Sequence, residues 1–125
     1  MANKVCTILG VVFLLVGILG FVMPSLLGAH LMLAHNIVHL VTGVLALYVG
    51  LKGSAGGAKT FCLVFGVVYL LLGICGFVMG TGADRMLVVM AGQLEFGTID
   101  HAIHLLLGII FLIGGLTTRS SAARP

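Results

Sequence analysis

Residues 6–23 read CTILGVVFLLVGILGFVM, and residues 62–79 read CLVFGVVYLLLGICGFVM. At a spacing of 56, Cys6, Gly10, Val11, Val12, Leu14, Leu15, Gly17, Ile18, Gly20, Phe21, Val22 and Met23 each meet an identical residue, and Phe13 meets Tyr69. Apolar composition alone would scatter Leu and Val coincidences, not align Gly, Cys, Phe and Met. A second correspondence follows at a spacing of 65, where His39, Leu40, Gly43, Leu47, Gly50 and Leu51 meet His104, Leu105, Gly108, Leu112, Gly115 and Leu116. The chain therefore reads as two copies of one two-helix hairpin, about residues 5–51 and 61–117. Units with an even number of spans share one orientation, related by an axis along the membrane normal.

Composition agrees with a membrane setting. Of 125 residues, 61% are hydrophobic and 7% charged, against about 45–50% and about 25% in a soluble domain. Six Lys and Arg, widely dispersed, are too few for a nucleic-acid-binding patch. A helix crosses a bilayer core with roughly 20 mostly apolar residues. Four stretches qualify: about 5–23, 33–51, 61–79 and 99–117, with Asp100 their only acid and Pro24 placed where the first should stop. The fold class is therefore all-α, a four-transmembrane-helix bundle in one integral membrane domain over 1–125. Residues Gly53–Gly57 read as a turn between the second and third spans.

Charge sets the expected orientation. Lys4, Lys52, Lys59, Arg119 and Arg124 fall on one side, and Arg85 faces the other with Asp84, Glu95 and Asp100. The positive-inside rule puts the basic side, with both termini, in the cytoplasm, and the expected localisation is the cytoplasmic (inner) membrane. A cleaved leader ending near Leu27-Gly28-Ala29 is the rival for residues 1–29, but a leader would not duplicate an internal span this closely. The insertion that lengthens the second outer loop lies within Thr81–Thr98. Its apolar run Met86–Met90 reads as an interfacial segment on the outer leaflet, or as a lid over that end of the bundle.

Glycine spacing assigns packing. Gly10, Gly17 and Gly20 share an arc of about 80°, as do Gly66, Gly73 and Gly76. Gly43 and Gly50, and Gly108 and Gly115, mark the matching faces of spans two and four. Lipid supplies no hydrophobic drive between helices, so small-residue stripes that admit close backbone approach supply the contact. The matched Cys6 and Cys62 read as small packing residues near the cytoplasmic ends, with no disulfide expected.

All five histidines, with Met23, Met32, Met79, Met86 and Met90, lie in the outer half. With His35 at 0°, His39 lies at about 40°, Asn36 at about 100° and Gly43 at about 80°, so the polar residues share the packing face. Asp100, His101 and His104 repeat the pattern beside Gly108 and Gly115. Ionisable groups in a membrane are costly and face protein or a wet cavity. The first reading of the cluster His35, Asn36, His39, Asp100, His101 and His104 is structural, with hydrogen bonds fixing helix register, and expects no cofactor. A second is a metal site in which His35, His39, Asp100 and His104 bind zinc, or copper helped by Met thioethers. A third is haem b held by His39 and His104, against which the crowded glycine faces leave little room for a porphyrin. Proton relay and pH sensing share the same residues.

No catalytic constellation is recognisable. Ser25 near His30 and His35 lacks an orienting acid, and Glu95 with Asp100 forms no acid–base pair by spacing. The chain reads as a non-enzyme. Four spans in 12.9 kDa leave little interior for a solute path, so transport would require an oligomer. The expected partners are the lipid bilayer and, through exposed glycine stripes, further copies of the chain or an unidentified membrane protein.

The motifs Gly66-Val-Val-Tyr69-Leu-Leu-Leu-Gly73-Ile-Cys-Gly76-Phe77, His35-Asn36-Ile-Val-His39 and Asp100-His101-Ala-Ile-His104 resemble an uncharacterised bacterial four-span membrane family, catalogued as a domain of unknown function (DUF4383-like). The resemblance covers nearly the whole chain. It implies four membrane helices and no particular activity. Where that family tends to carry Asn after the Asp of its last span, this chain has His101.

Overall fold

The computed structural model of the chain describes residues 1–119; Arg124 and Pro125 lie outside the described residues. Four helices dominate it: α1 (Ala2–Val22), α2 (Leu33–Lys52), α3 (Ala55–Met79) and α4 (Thr98–Leu116). All four are long and apolar enough to cross a membrane. α1 stops just before Pro24, which has no N–H to continue the ladder, and a single 3₁₀ turn (Leu26–Gly28) leads towards α2. The turn expected over Gly53–Gly57 is shorter than its glycines suggested. Ser54 caps α3 by accepting the N–H of Gly57 at 3.0 Å, which draws residues 55–57 into the helix.

The interfacial segment expected in Thr81–Thr98 takes a different form. Leu87–Met90 (β1) and Leu94–Phe96 (β2) pair antiparallel in a small β-hairpin. Two features favour it: β1 carries consecutive β-branched valines, and Gly92 sits at φ 73° in the connecting turn, closed by Gln93 N–H to Met90 O at 3.0 Å. Neither apolar run is long enough for a stable helix. An irregularity between Val88 and Met90 breaks the register. Phe96 is buried beneath the hairpin.

The two helical hairpins pack by the same contacts. A methyl group added at Gly10 would lie 2.8 Å from the backbone nitrogen of Leu47, and one at Gly66 3.0 Å from that of Leu112. At Gly43 it would meet Leu14 N at 2.9 Å; at Gly108, Leu70 N at 2.6 Å. Gly17 and Gly73 receive Leu40 and Leu105, and Gly50 and Gly115 receive Thr7 and Leu63. Each of these partners is the counterpart of the other at the two spacings found in the sequence. Backbone-to-backbone approach of this kind is how helices associate in lipid.

Between the hairpins the core is layered. At the end bearing Ala2 and Thr118, Cys6 and Cys62 are fully buried with their sulfurs 3.6 Å apart, beside Ala2 and Ala58. Midway, Phe13, Tyr69 and Phe111 pack ring on ring, with centroids 5.4–6.2 Å apart. At the opposite end, under the β-hairpin, the layer is made of imidazoles. Lys59 closes the terminal end by donating to the carbonyls of Gly115 (2.6 Å) and Thr118 (2.7 Å).

Candidate functional site

The residues gathered at the β-hairpin end divide into three groups. In the first, α2 and α4 present His35, His39 and His104 to one another at the seam between the hairpins. The ring centroids of His35 and His39 are 4.1 Å apart, and those of His35 and His104 are 6.0 Å apart. Phe96 stands edge-on to both His35 and His104, at 4.9 Å from each. Below, Phe13 supports His39 at 5.5 Å and Tyr69 supports His104 at 5.6 Å. All three imidazoles are at least 94% buried.

Polar satisfaction within this group is incomplete. His35 Nδ1 lies 3.0 Å from the carbonyl oxygen of His30. A carbonyl only accepts, so Nδ1 carries the proton and Nε2 of the neutral ring is left as an acceptor. The Nδ1 atoms of His39 and His104 are buried with no partner among the described residues, whereas buried polar atoms are paired as a rule.

The second group ties the loops. The carboxylate of Asp100 accepts the N–H of Gly97 at 2.8 Å, the N–H of His30 at 3.1 Å, and approaches His30 Nδ1 at 3.1 Å. It thereby caps α4, where a negative charge also suits the helix dipole, and pins the loop before α2 to the other hairpin. His30 Nε2 lies 3.5 Å from Asp84. Asp84 in turn accepts the hydroxyl of Thr98 through its carbonyl at 3.0 Å.

The third group sits in the glycine notches. Asn36 packs directly onto Gly20 and His101 onto Gly76, so a methyl at either glycine would overlap the polar side chain. Asn36 donates to the carbonyl of Leu31 at 3.3 Å, and His101 Nε2 donates to that of Arg85 at 2.6 Å. Arg85, with a left-handed φ of 49°, bonds the carbonyl of Phe77 through its guanidinium. His101 therefore serves the α3 loop and stands apart from the other imidazoles.

Two cavities flank the imidazole group. The smaller, about 80 Å³, lies towards α1 and the 3₁₀ turn, with Val16, Leu26, Ala29 and Asp100 in its wall. The larger, about 200 Å³, lies between α2 and α3 under the β-hairpin, where Thr42, Phe65, Tyr69, Val89 and Phe96 join His35, His39 and His104.

A family model described as "Domain of unknown function (DUF4383)" matches residues 4–117. The chain belongs to the DUF4383 family. No curated protein and no solved structure matches it. The DUF4383 description names no activity.

Of the four residues considered as metal ligands, His35, His39 and His104 come together, while Asp100 directs its carboxylate to His30 and Gly97. Among the described residues no group of three or more His, Cys, Asp or Glu is arranged to hold a metal ion. Sequence reasoning missed His30 and Phe96 as members of the site. His30 lies 70 residues from Asp100 in sequence, and Phe96 belongs to a loop with no periodicity to place it. Tyr69 was visible only as the counterpart of Phe13, with nothing to show that both lie under the histidines.

Proposed function

We propose that this DUF4383 chain is a four-span protein of the bacterial inner membrane, built by tandem duplication of a helical hairpin, with both termini cytoplasmic. Its polar cluster holds the bundle together and performs no catalysis. The single observation that carries this reading is the engagement of Asp100, which joins Gly97, His30 and α4 across the two hairpins. Asn36 and His101 fit the same role, each filling a glycine notch while bonding a loop carbonyl. Interhelical hydrogen bonds in membranes average about 0.6 kcal/mol each, so the cluster acts by number and placement rather than by any one strong bond.

Membrane placement is supported by the outward faces, where Ile8, Leu15, Ile18, Val44, Leu71 and Ile113 are each more than half exposed. Apolar surface so extensive is stable only against lipid or another protein. Duplication is supported by the shared contacts of the two hairpins as well as by the two sequence spacings.

The decisive experiment is elemental analysis and a visible spectrum of the full chain purified in mild detergent, together with thermal unfolding of Asp100→Asn and His101→Ala. The structural role predicts lowered melting temperatures, no stoichiometric metal and no Soret band. Zinc, copper or haem b bound in stoichiometric amount, and lost in His39→Ala and His104→Ala, would overturn it. Cysteine-accessibility mapping checks the topology: Lys52 and Arg119 should label from the same side, and labelling from opposite sides refutes it.

A further inference from the structure

We propose that the larger cavity binds a small lipid-soluble phenol, admitted sideways between α2 and α3, with its hydroxyl held by the imidazoles at the hairpin seam. The proposal goes beyond the structural role above, which concerns Asp100, Asn36 and His101.

Size is the first argument. An apolar protein cavity of about 150 Å³ stays dry and takes up benzene, and this one offers about 200 Å³. It is small for a drug-sized or porphyrin ligand, whose pockets run from roughly 300 Å³ upward. One substituted six-membered ring is the natural fit.

The walls give the second argument. Val38, Val68, Leu72, Phe65, Leu94 and Phe96 offer apolar and aromatic surface, against which an aromatic ring packs face or edge. The polar groups of the wall are Thr42, Tyr69 and the histidines, enough to hold one hydroxyl against an otherwise apolar lining.

The third argument is hydrogen-bond polarity. Because His35 Nδ1 donates to His30 O, the Nε2 of its neutral ring is a bare acceptor, with no partner among the described residues. A ligand with a hydroxyl donor satisfies such a site, whereas a hydrocarbon of the same shape leaves it unsatisfied. A phenol combines that donor with the ring the walls favour.

Access follows from the packing of the bundle. α2 and α3 belong to different hairpins and touch each other far less than the mates within each hairpin do. At that gap Val38 and Val68 are 44% and 48% exposed, so the mouth faces the surroundings of the helices, which in a membrane are acyl chains. The β-hairpin, through Val89, Leu94 and Phe96, roofs the cavity on the side away from Ala2 and Thr118. A ligand would therefore partition into lipid first and enter from there.

The test uses the full chain in lipid nanodiscs, titrated with p-cresol and with toluene, which share a ring and a methyl but differ in the hydroxyl. Binding is read by ligand-observed NMR, with empty nanodiscs subtracting partition into lipid. The expected result is one saturable p-cresol site per chain, with toluene about tenfold weaker or more, the scale of one hydrogen bond. Val68→Phe, which plugs the mouth, should abolish the site, and His35→Leu should erase the preference for p-cresol. Should Val68→Phe fail to fold, Val38→Phe closes the same mouth from the opposite helix. Equal affinity for toluene, no saturable site for p-cresol, or p-cresol binding unchanged in the plugged variant would each overturn the proposal. None of these results bears on the melting temperatures of Asp100→Asn and His101→Ala, so failure here is distinguishable from failure of the structural role.

Discussion

The α1–α2 and α3–α4 hairpins share a packing scheme but not a polar inventory. Where the two agree, at Gly10 and Gly66, Gly43 and Gly108, or His39 and His104, the residues face the mate helix or the seam between hairpins. Where they differ, the side chains bond loops, and His35 alone also joins the seam. His35 corresponds to Asp100 and Asn36 to His101 at the spacing of 65. Asp100 and His101 bond His30, Gly97 and Arg85, all outside the helices, while Asn36 bonds Leu31 within its own short loop. The lesson is that shared positions build the bundle, and divergent ones bond the loops, with Asp100 tying the loop of one hairpin to the other.

The largest effect that could break this comparison comes from the shared glycines. Gly108→Val places a side chain onto the backbone of Leu70, where no rotamer change gives relief. Overpacking costs typically about 1–3 kcal/mol and occasionally more, and a backbone clash belongs at the top of that range. Gly43→Val, at the counterpart position, should lose folded protein to a similar extent. Gel filtration in detergent and circular dichroism measure this, and a well-folded Gly108→Val beside an unfolded Gly43→Val would show that the hairpins are not packed alike.

Next comes the roof, which has no counterpart in the first hairpin. Phe96→Ala removes the ring between His35 and His104, at a cost of about 3 kcal/mol by the usual scale for buried Phe. The expected readout is a lower melting temperature together with faster hydrogen exchange across β1 and β2. Unchanged exchange would mean that the β-hairpin is held by something other than Phe96.

Asp100→Asn tests the divergent positions. It keeps the shape but loses a charge that accepts from two backbone N–H groups, worth about 1.5–3 kcal/mol for charged acceptors. His101→Asn, which makes the second hairpin resemble the first at that position, should cost only about 1 kcal/mol, the net value of one hydrogen bond. Thermal unfolding ranks the two, and the reverse order would refute the assignment of Asp100 as the main tie between the loops. Smallest of all should be Cys6→Ala. It removes a weak sulfur contact to Cys62 from a tightly packed layer and is expected to shift stability by less than about 1 kcal/mol, the order of one buried methylene group.

Four helices, their approximate ends and the glycine faces were legible in the order of residues. Hydropathy over a span, proline at a helix end and glycine at helical spacing are local properties, written where they act. The loop of Thr81–Thr98 was not legible as a β-hairpin, since its strands are too short for alternation to show and their partner is each other. The polar cluster was legible as a list of residues on one face. Its division was not, because the partners of Asp100 and His101 lie on loops that only the packed bundle brings near.

By itself the sequence determined four helices long and apolar enough to cross a membrane, because periodicity and composition act along the chain. Tertiary structure alone decided which histidines meet, which carboxylate is taken up by a loop, and where a cavity remains. Those outcomes depend on the gap between hairpins that touch through only a few layers, and no single segment encodes the width of that gap.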